Sequence, residues 1–157
     1  MRVSHASINI LKQSLSEVIQ RPKYGTGGLA SSTVTINDTT LKTANSISGK
    51  GLVHVVYWEV GSITGSPTTE ETLCTFFVDD AEVDLVKKIK YANNDFDRTT
   101  PYQQILRYTA GGVCGVQLTP PTGFTFESSA VQKVQGQGTV DATNYFTMDC
   151  RVIYQLV

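Results

Sequence analysis

The last twelve residues of the chain carry the clearest periodic pattern in the sequence. From Phe146 to Leu156 every even-numbered residue is apolar, and the odd-numbered residues are polar except for Ile153. This alternation predicts a long strand with one face buried and the other in water. The segment Leu52–Val60 is instead apolar, aromatic or β-branched at almost every position. Such a run predicts a central strand that is partly buried on both faces.

Shorter runs of β-forming residues occupy much of the remaining chain. Threonine and serine make up about a fifth of the residues, and threonine suits a half-buried pleated surface while serine suits turns. The sequence therefore predicts a mainly β fold, an antiparallel β-sandwich or barrel. Its further strands are expected at 33–36, 73–78, 113–118, 124–126 and 130–134.

The N-terminal segment has the pattern of an amphipathic helix followed by a flexible joint. Its apolar residues recur at helical spacing, and Pro22 ends the pattern because a residue before proline avoids the α region. The glycine- and serine-rich residues 23–32 form the joint. We therefore divide the chain into an N-terminal helix and flexible arm (1–32) and a single β-rich domain (33–157). The apolar helical face includes Ile8, Leu11, Leu15 and Val18.

Two segments in the middle of the chain also favour helix. Residues 81–92 follow acidic residues and end in lysines, as the helix dipole favours, although part of this segment alternates like a strand. Residues 100–108 open with Thr-Pro, and proline is preferred at the first helical position. We expect one or two short helices within 81–109. An α+β sheet with these helices on one face is the alternative architecture.

Charge is unevenly distributed along the chain. The net charge of −1 gives no general attraction to nucleic acid or to a membrane surface. A basic N-terminal end and an acidic stretch at 70–84 could meet head to tail between identical subunits, or both could be ordinary solvated surfaces. The basic residues include Arg21 and Lys23, and the acidic ones include Glu70, Glu71, Asp79 and Asp80.

The residues that carry catalysis or bind metals are sparse. Two histidines and three widely spaced cysteines form neither a CxxC pair nor a zinc-ligand pattern. Asn93, Asp95 and Asp97 have the alternate spacing of a calcium loop, but an EF-hand would need glycine where Arg98 stands and glutamate where Gln104 stands. We therefore predict no catalytic residue, no bound cofactor and no metal site.

The sequence also lacks the patterns of export and membrane insertion. Polar residues interrupt the first eighteen positions, unlike a secretory signal, and no apolar run approaches the roughly 18 residues that span a bilayer. We expect a protein made in a host cytoplasm.

In general style the chain resembles the structural proteins of tailed-phage particles, either capsid decoration (cement) proteins or small tail or neck subunits. The resemblance rests on the N-terminal arm through Ser32, the Thr/Gly-rich strands and the terminal strand Phe146–Leu156. It implies a non-enzymatic virion protein that forms a homo-oligomer, with a trimer favoured for a cement protein. Its partner would be a major capsid or tail protein.

The expected subunit contacts follow from the arm and the acidic stretch. They are Ile8, Leu11, Leu15, Val18, Arg21, Lys23, Glu70, Glu71, Asp79 and Asp80. The edge of the final strand could also pair across subunits. A different class of function, a carbohydrate-binding β-sandwich module, would use Trp58 or the pair Tyr102 and Tyr108 to stack on sugars.

Overall fold

The computed structural model describes residues 25–65, 71–83, 86–90, 95–96, 103–108 and 114–157. The expected N-terminal helix lies outside these residues. In chain order the strands are β1 (Thr26–Ile36), β2 (Leu41–Ser48), β3 (Gly51–Thr64), β4 (Glu71–Val78), β5 (Ala81–Glu82), β6 (Val86–Lys90), β7 (Asp95–Phe96), β8 (Gln103–Tyr108), β9 (Cys114–Leu118), β10 (Phe124–Phe126), β11 (Ser129–Gln137) and β12 (Tyr145–Leu156).

These strands form two antiparallel sheets that pack face to face. The order in the first sheet is β1-β12-β3-β9-β8, and β10 pairs with the start of β3. The order in the second sheet is β2-β11-β4-β6-β7, and β5 pairs with the end of β4. One apolar core lies between the sheets. The predicted antiparallel β-sandwich is confirmed.

The core is built from alternate residues of the long strands. The even-numbered residues of β12 from Phe146 to Val152 are buried, as the alternation predicted. Trp58 of β3 and Phe76 of β4 bring the largest fully buried rings, one from each sheet. Burial of a large apolar side chain contributes about 1.5–3 kcal/mol, so this layer supplies the main force that holds the sheets together.

A pair of amides crosses this apolar core. Asn45 and Gln132 lie on neighbouring strands of the second sheet and are almost fully buried. The Asn45 Nδ2 donates to Gln132 Oε1 at 2.7 Å and to the Cys150 carbonyl at 3.1 Å. The Gln132 Nε2 donates to the Tyr57 carbonyl at 2.8 Å. Since Tyr57 and Cys150 belong to the first sheet, the amides tie the two layers together.

The predictions of helix within 81–109 are wrong for the residues that the structure describes there. Residues 81–82 and 86–90 are the strands β5 and β6, and both pair with β4. Residues 103–108 are the strand β8, which pairs with β9. The local helical preference of such short segments is weak, and strand pairing satisfies their backbone groups within the sheets. The α+β alternative is therefore not the observed architecture.

The glycine-rich part of the expected arm is also a strand. Residues 26–32, which we assigned to the flexible joint, belong to β1 and pair with β12 in an unbroken register. The ring of Tyr154 lies over Gly28, where a larger residue would overlap it. Gly28 therefore serves close packing against Tyr154. The strand β12 lies between β1 and β3, so the expectation that its own edge is open is wrong.

Candidate functional site

The structure brings few of the predicted contact residues together. Ile8, Leu11, Leu15, Val18, Arg21, Lys23 and Glu70 lie outside the described residues. Glu71 is the first residue of β4, whereas Asp79 and Asp80 form the turn after its last residue. About 25 Å of extended strand separates the two ends. The acidic residues 71 and 79–80 therefore do not form one continuous patch.

Asp79 is engaged within its own chain. Its carboxylate accepts hydrogen bonds from the backbone amides of Glu127, Ser128 and Ser129 at 2.8, 2.8 and 3.1 Å, and from the Ser128 hydroxyl at 2.8 Å. These hydrogen bonds, the one from Glu127 first, hold the pKa of Asp79 well below its usual range. Asp79 thus joins the β4–β5 turn to the segment between β10 and β11.

Asp80 is the more available of the two turn residues. Both have a positive φ, 49° for Asp79 and 65° for Asp80, as a two-residue hairpin turn of type I′ requires. The turn is held by the Asp79 carboxylate, which leaves Asp80 exposed at its tip. Of these two predicted contacts, Asp80 is thus the one whose carboxylate does not hold the turn.

A row of apolar side chains crosses the outer face of the first sheet. The strand register places Leu29 of β1 opposite Ile153 of β12, and Ile153 opposite Val55 of β3. Leu29 is 63% exposed and Ile153 47% exposed, and Val55 is half-buried. We call Leu29, Ile153 and Val55 the apolar row. It begins on the edge strand β1 and continues into the middle of the sheet.

Polar and aromatic residues flank the apolar row. Arg151 lies opposite Tyr57, which in turn lies opposite Gln117 of β9. These three residues and the apolar row line an open groove of about 330 Å³. The groove therefore combines an exposed apolar floor with one basic, one aromatic and one amide side chain.

The polar wall of the groove is electrostatically organised. The guanidinium carbon of Arg151 lies 5.4 Å from the centroid of the Tyr57 ring, which is within the range of a cation–π interaction. The Tyr57 hydroxyl donates to Glu59 Oε2, and Glu59 is 9% exposed. The Tyr57 side chain is thus held at its ring face by Arg151 and at its hydroxyl by Glu59.

Sequence reasoning missed this groove, although one signal pointed to it. Ile153 is the single exception to the polar face of the final strand, but a contact surface is marked by a contiguous apolar patch and not by one exposed apolar residue. Residues 29, 55 and 153 are far apart in the chain. Only the register of β1, β12 and β3 shows that they form a row.

Cys74 and Cys150 are buried thiols and not reactive groups. Cys74 and Cys150 are fully buried and unbonded to each other. Burial, with a smaller contribution from Asp149, raises the pKa of the Cys150 thiol to about 12. The thiolate, which is the nucleophile, is therefore disfavoured at neutral pH.

The described residues do not form a metal centre. Asn93 and Asp97 of the calcium-loop candidate lie outside these residues, and Asp95 begins β7. Within the part of the chain that the structure describes, no three His, Cys, Asp or Glu residues cluster as metal ligands would. Its elements also include no helix of the length and apolarity that crossing a bilayer demands.

The aromatic residues proposed for sugar binding are differently placed. Trp58 is fully buried in the core, so its ring cannot stack on a sugar. Tyr102 lies outside the described residues, and Tyr108 is the last residue of β8. The aromatic ring that does reach an open groove is that of Tyr57.

Comparison with known proteins adds no family to this picture. No protein-family model matches the chain, and no curated protein sequence matches it.

Proposed function

We propose that this protein is a non-enzymatic structural subunit of a virus or phage particle, of the capsid decoration (cement) type. In that function it stabilises a shell by bridging neighbouring subunits, and it is located in the virion. The observation that carries the proposal is the exposed apolar row beside the polar wall of the groove. The resemblance to phage structural proteins supplies the biological setting.

The groove has the composition of a protein-binding surface. Interfaces combine an apolar centre with a polar rim, and tyrosine and arginine are enriched among the residues that contribute most to affinity. Leu29 and Ile153 offer the apolar centre, and Tyr57 and Arg151 offer the rim. A stable complex buries about 800 Å² on each partner, so the groove would be the centre of a larger contact.

The proposed partners are copies of the same chain and a major capsid or tail protein. Residues 1–24 and the exposed Asp80 remain candidate contacts to those partners, and a trimer remains the expected oligomer of a cement protein. A tail or neck subunit is the nearest alternative, because it would use the same surfaces on a tube rather than on a shell.

Cosedimentation with shells or tails that lack the protein tests this proposal. The wild-type chain is expected to sediment with one of them, and Ile153→Asp is expected to lose binding at least tenfold because it places a charge in the apolar row. Leu41→Asp is the matched control, since Leu41 is also exposed (44%) but lies in the other sheet. Failure of the wild-type chain to bind either shells or tails would contradict the proposal.

A carbohydrate-binding module is the second candidate. Only the groove supports it, because Tyr57, Gln117 and Arg151 could stack on and hydrogen-bond to a sugar. A glycan array separates the two functions: hits that disappear with Tyr57→Ala would favour sugar binding, and an array without hits would count against it.

A further inference from the structure

The strand β1 is one edge of the first sheet, and β8 is the other. One side of β1 pairs with β12 along its whole length, and within the described part of the chain no strand pairs with the other side. The Val157 amide donates to the Lys50 carbonyl at 3.0 Å, so odd-numbered residues of β12 point their backbone groups toward β3. Even-numbered ones therefore point toward β1.

The register then identifies which backbone groups of β1 face outward. Even-numbered residues of β1 lie opposite even-numbered residues of β12, so the odd-numbered residues direct their N–H and C=O groups away from the sheet. Lys42 Nζ confirms this direction, because it donates to the outward Thr35 carbonyl at 2.8 Å. The outward groups that this lysine leaves open belong to Gly27, Leu29, Ser31 and Thr33.

The β1 edge lacks most of the features that usually prevent an edge strand from pairing with another chain. Exposed edges are commonly protected by lysine, proline or a bulge. The strand β1 contains no charged residue and no proline, and its register with β12 has no irregularity. The strand β2, which is the corresponding edge of the second sheet, has both Lys42 and a register shift against β11. Apart from Lys42, which covers the Thr35 carbonyl at one end of β1, this protection is thus confined to β2.

We propose that β1 pairs antiparallel with β1 of a second copy of this chain about a two-fold axis at Ala30. In this register Gly27 faces Thr33 of the second copy, and Leu29 faces its Ser31. Each such pair exchanges two hydrogen bonds, so the four pairs form about eight. The inference rests on the self-association in the proposed function, but it replaces the trimer expected there with a two-fold dimer, and it does not depend on particle binding.

Two features select a second copy as the partner and Ala30 as the centre. An uncharged strand brings no like charge against its copy. Among registers that use only residues of β1, a centre at Ala30 alone pairs all the outward groups from Gly27 to Thr33 while Lys42 keeps the Thr35 carbonyl. In this register the two Leu29 side chains become diagonal neighbours on the outer face, so the apolar rows of both copies join into one.

Disulfide trapping tests the register directly. Ala30 would face Ala30 of the second copy in a non-hydrogen-bonded pair, with Cα atoms about 4.5 Å apart, a separation that suits a disulfide. In a Cys114→Ser background, Ala30→Cys is expected to give a covalent dimer on mild oxidation. Thr26→Cys alone is expected to give none, whereas a mixture of Thr26→Cys and Val34→Cys chains is expected to cross-link.

Light scattering with edge variants tests the contact without a cross-link. Ser31→Pro removes one outward N–H, and proline is tolerated on an edge strand when its nitrogen faces solvent. Leu29→Lys adds the usual edge charge. Both are expected to halve the mass of the wild-type dimer, and Leu41→Lys is expected to leave it unchanged. Circular dichroism of each variant checks that the fold persists.

The results of these experiments distinguish a failure of the two-fold pairing from a failure of the proposed function. Absence of an Ala30→Cys cross-link, a monomeric wild-type chain, or an oligomer whose mass Ser31→Pro and Leu29→Lys leave unchanged would each overturn the two-fold pairing. If the wild-type chain is a trimer that binds shells, and neither variant changes its mass, the two-fold pairing is wrong but the cement function is still supported. A dimer that depends on β1 but binds neither shells nor tails would support the pairing and contradict the particle function.

Discussion

The side-chain amide of Gln132 donates across the core to the backbone carbonyl of Tyr57, from one sheet to the other, at 2.8 Å. Gln132 is fully buried, and its Oε1 accepts from Asn45 in the same sheet. The carbonyl that it binds belongs to a residue that lines the groove on the far side of the sheet. The buried amides therefore fix the strand whose outer face forms the polar wall of the groove.

Gln132→Ala is expected to lower the free energy of unfolding by about 2–3 kcal/mol, because it removes two buried hydrogen bonds, one from the Asn45 amide and one to the Tyr57 carbonyl. Chemical denaturation checks this value. Gln135→Ala is the control: Gln135 donates to the exposed Thr39 carbonyl, so its loss should cost under about 1 kcal/mol. A double-mutant cycle with Asn45→Ala should give a coupling of about 1 kcal/mol. Additive losses of unfolding free energy would contradict the hydrogen bond between the Asn45 and Gln132 amides.

Asp79 is expected to stabilise the fold in a pH-dependent way. Since its pKa is lower in the folded chain than the ordinary 3.8, its contribution is full above that value and is lost as the pH falls toward the folded pKa. Asp79→Asn should therefore be less stable than wild type at neutral pH, and the difference should shrink below about pH 4. Thermal unfolding at several pH values measures this, and a difference independent of pH would contradict it.

Trp58 is the single tryptophan of the chain and is fully buried. Its fluorescence is therefore expected to be blue-shifted relative to the denatured protein, and iodide should quench it poorly. Because its ring cannot reach a ligand, sugars should leave the emission unchanged. Emission at the wavelength of the denatured protein, or a shift with a sugar, would show that the ring is accessible.

Gly28 and Gly27 make a matched pair of test positions on β1. A Cβ at Gly28 would overlap the Tyr154 ring, whereas a Cβ at Gly27 would meet nothing within 4 Å. Gly28→Ala is expected to lower stability by about 1–3 kcal/mol, as overpacking does, and Gly27→Ala to be neutral or slightly stabilising. Tyr154→Leu should relieve Gly28→Ala if the ring is the cause. Equal effects of Gly28→Ala and Gly27→Ala on stability would contradict the close contact between Gly28 and the Tyr154 ring.

Some strands could be predicted from their local pattern because pairing with the neighbouring strands favours the same extended conformation. The alternation from Phe146 to Leu156 and the apolar run at Leu52–Val60 each match a strand that the structure contains. The predicted helix over 81–92 was wrong at residues 81–82 and 86–90, because pairing with β4 outweighed a weak local preference. Likewise, Gly27 and Gly28 suggested a joint, yet β12 holds them in a strand.

By itself, the sequence determined the mainly β class, the two faces of the final strand and the core residues that its alternation marks. The tertiary structure alone decided the order of the strands in each sheet and therefore which strands lie at the edges. It also decided that Leu29, Val55 and Ile153 form a row, and that Asp79 serves as a cap inside its own chain. The physical reason is that side-chain alternation is a local property of a strand, whereas register and strand order depend on backbone pairing between segments far apart in the chain.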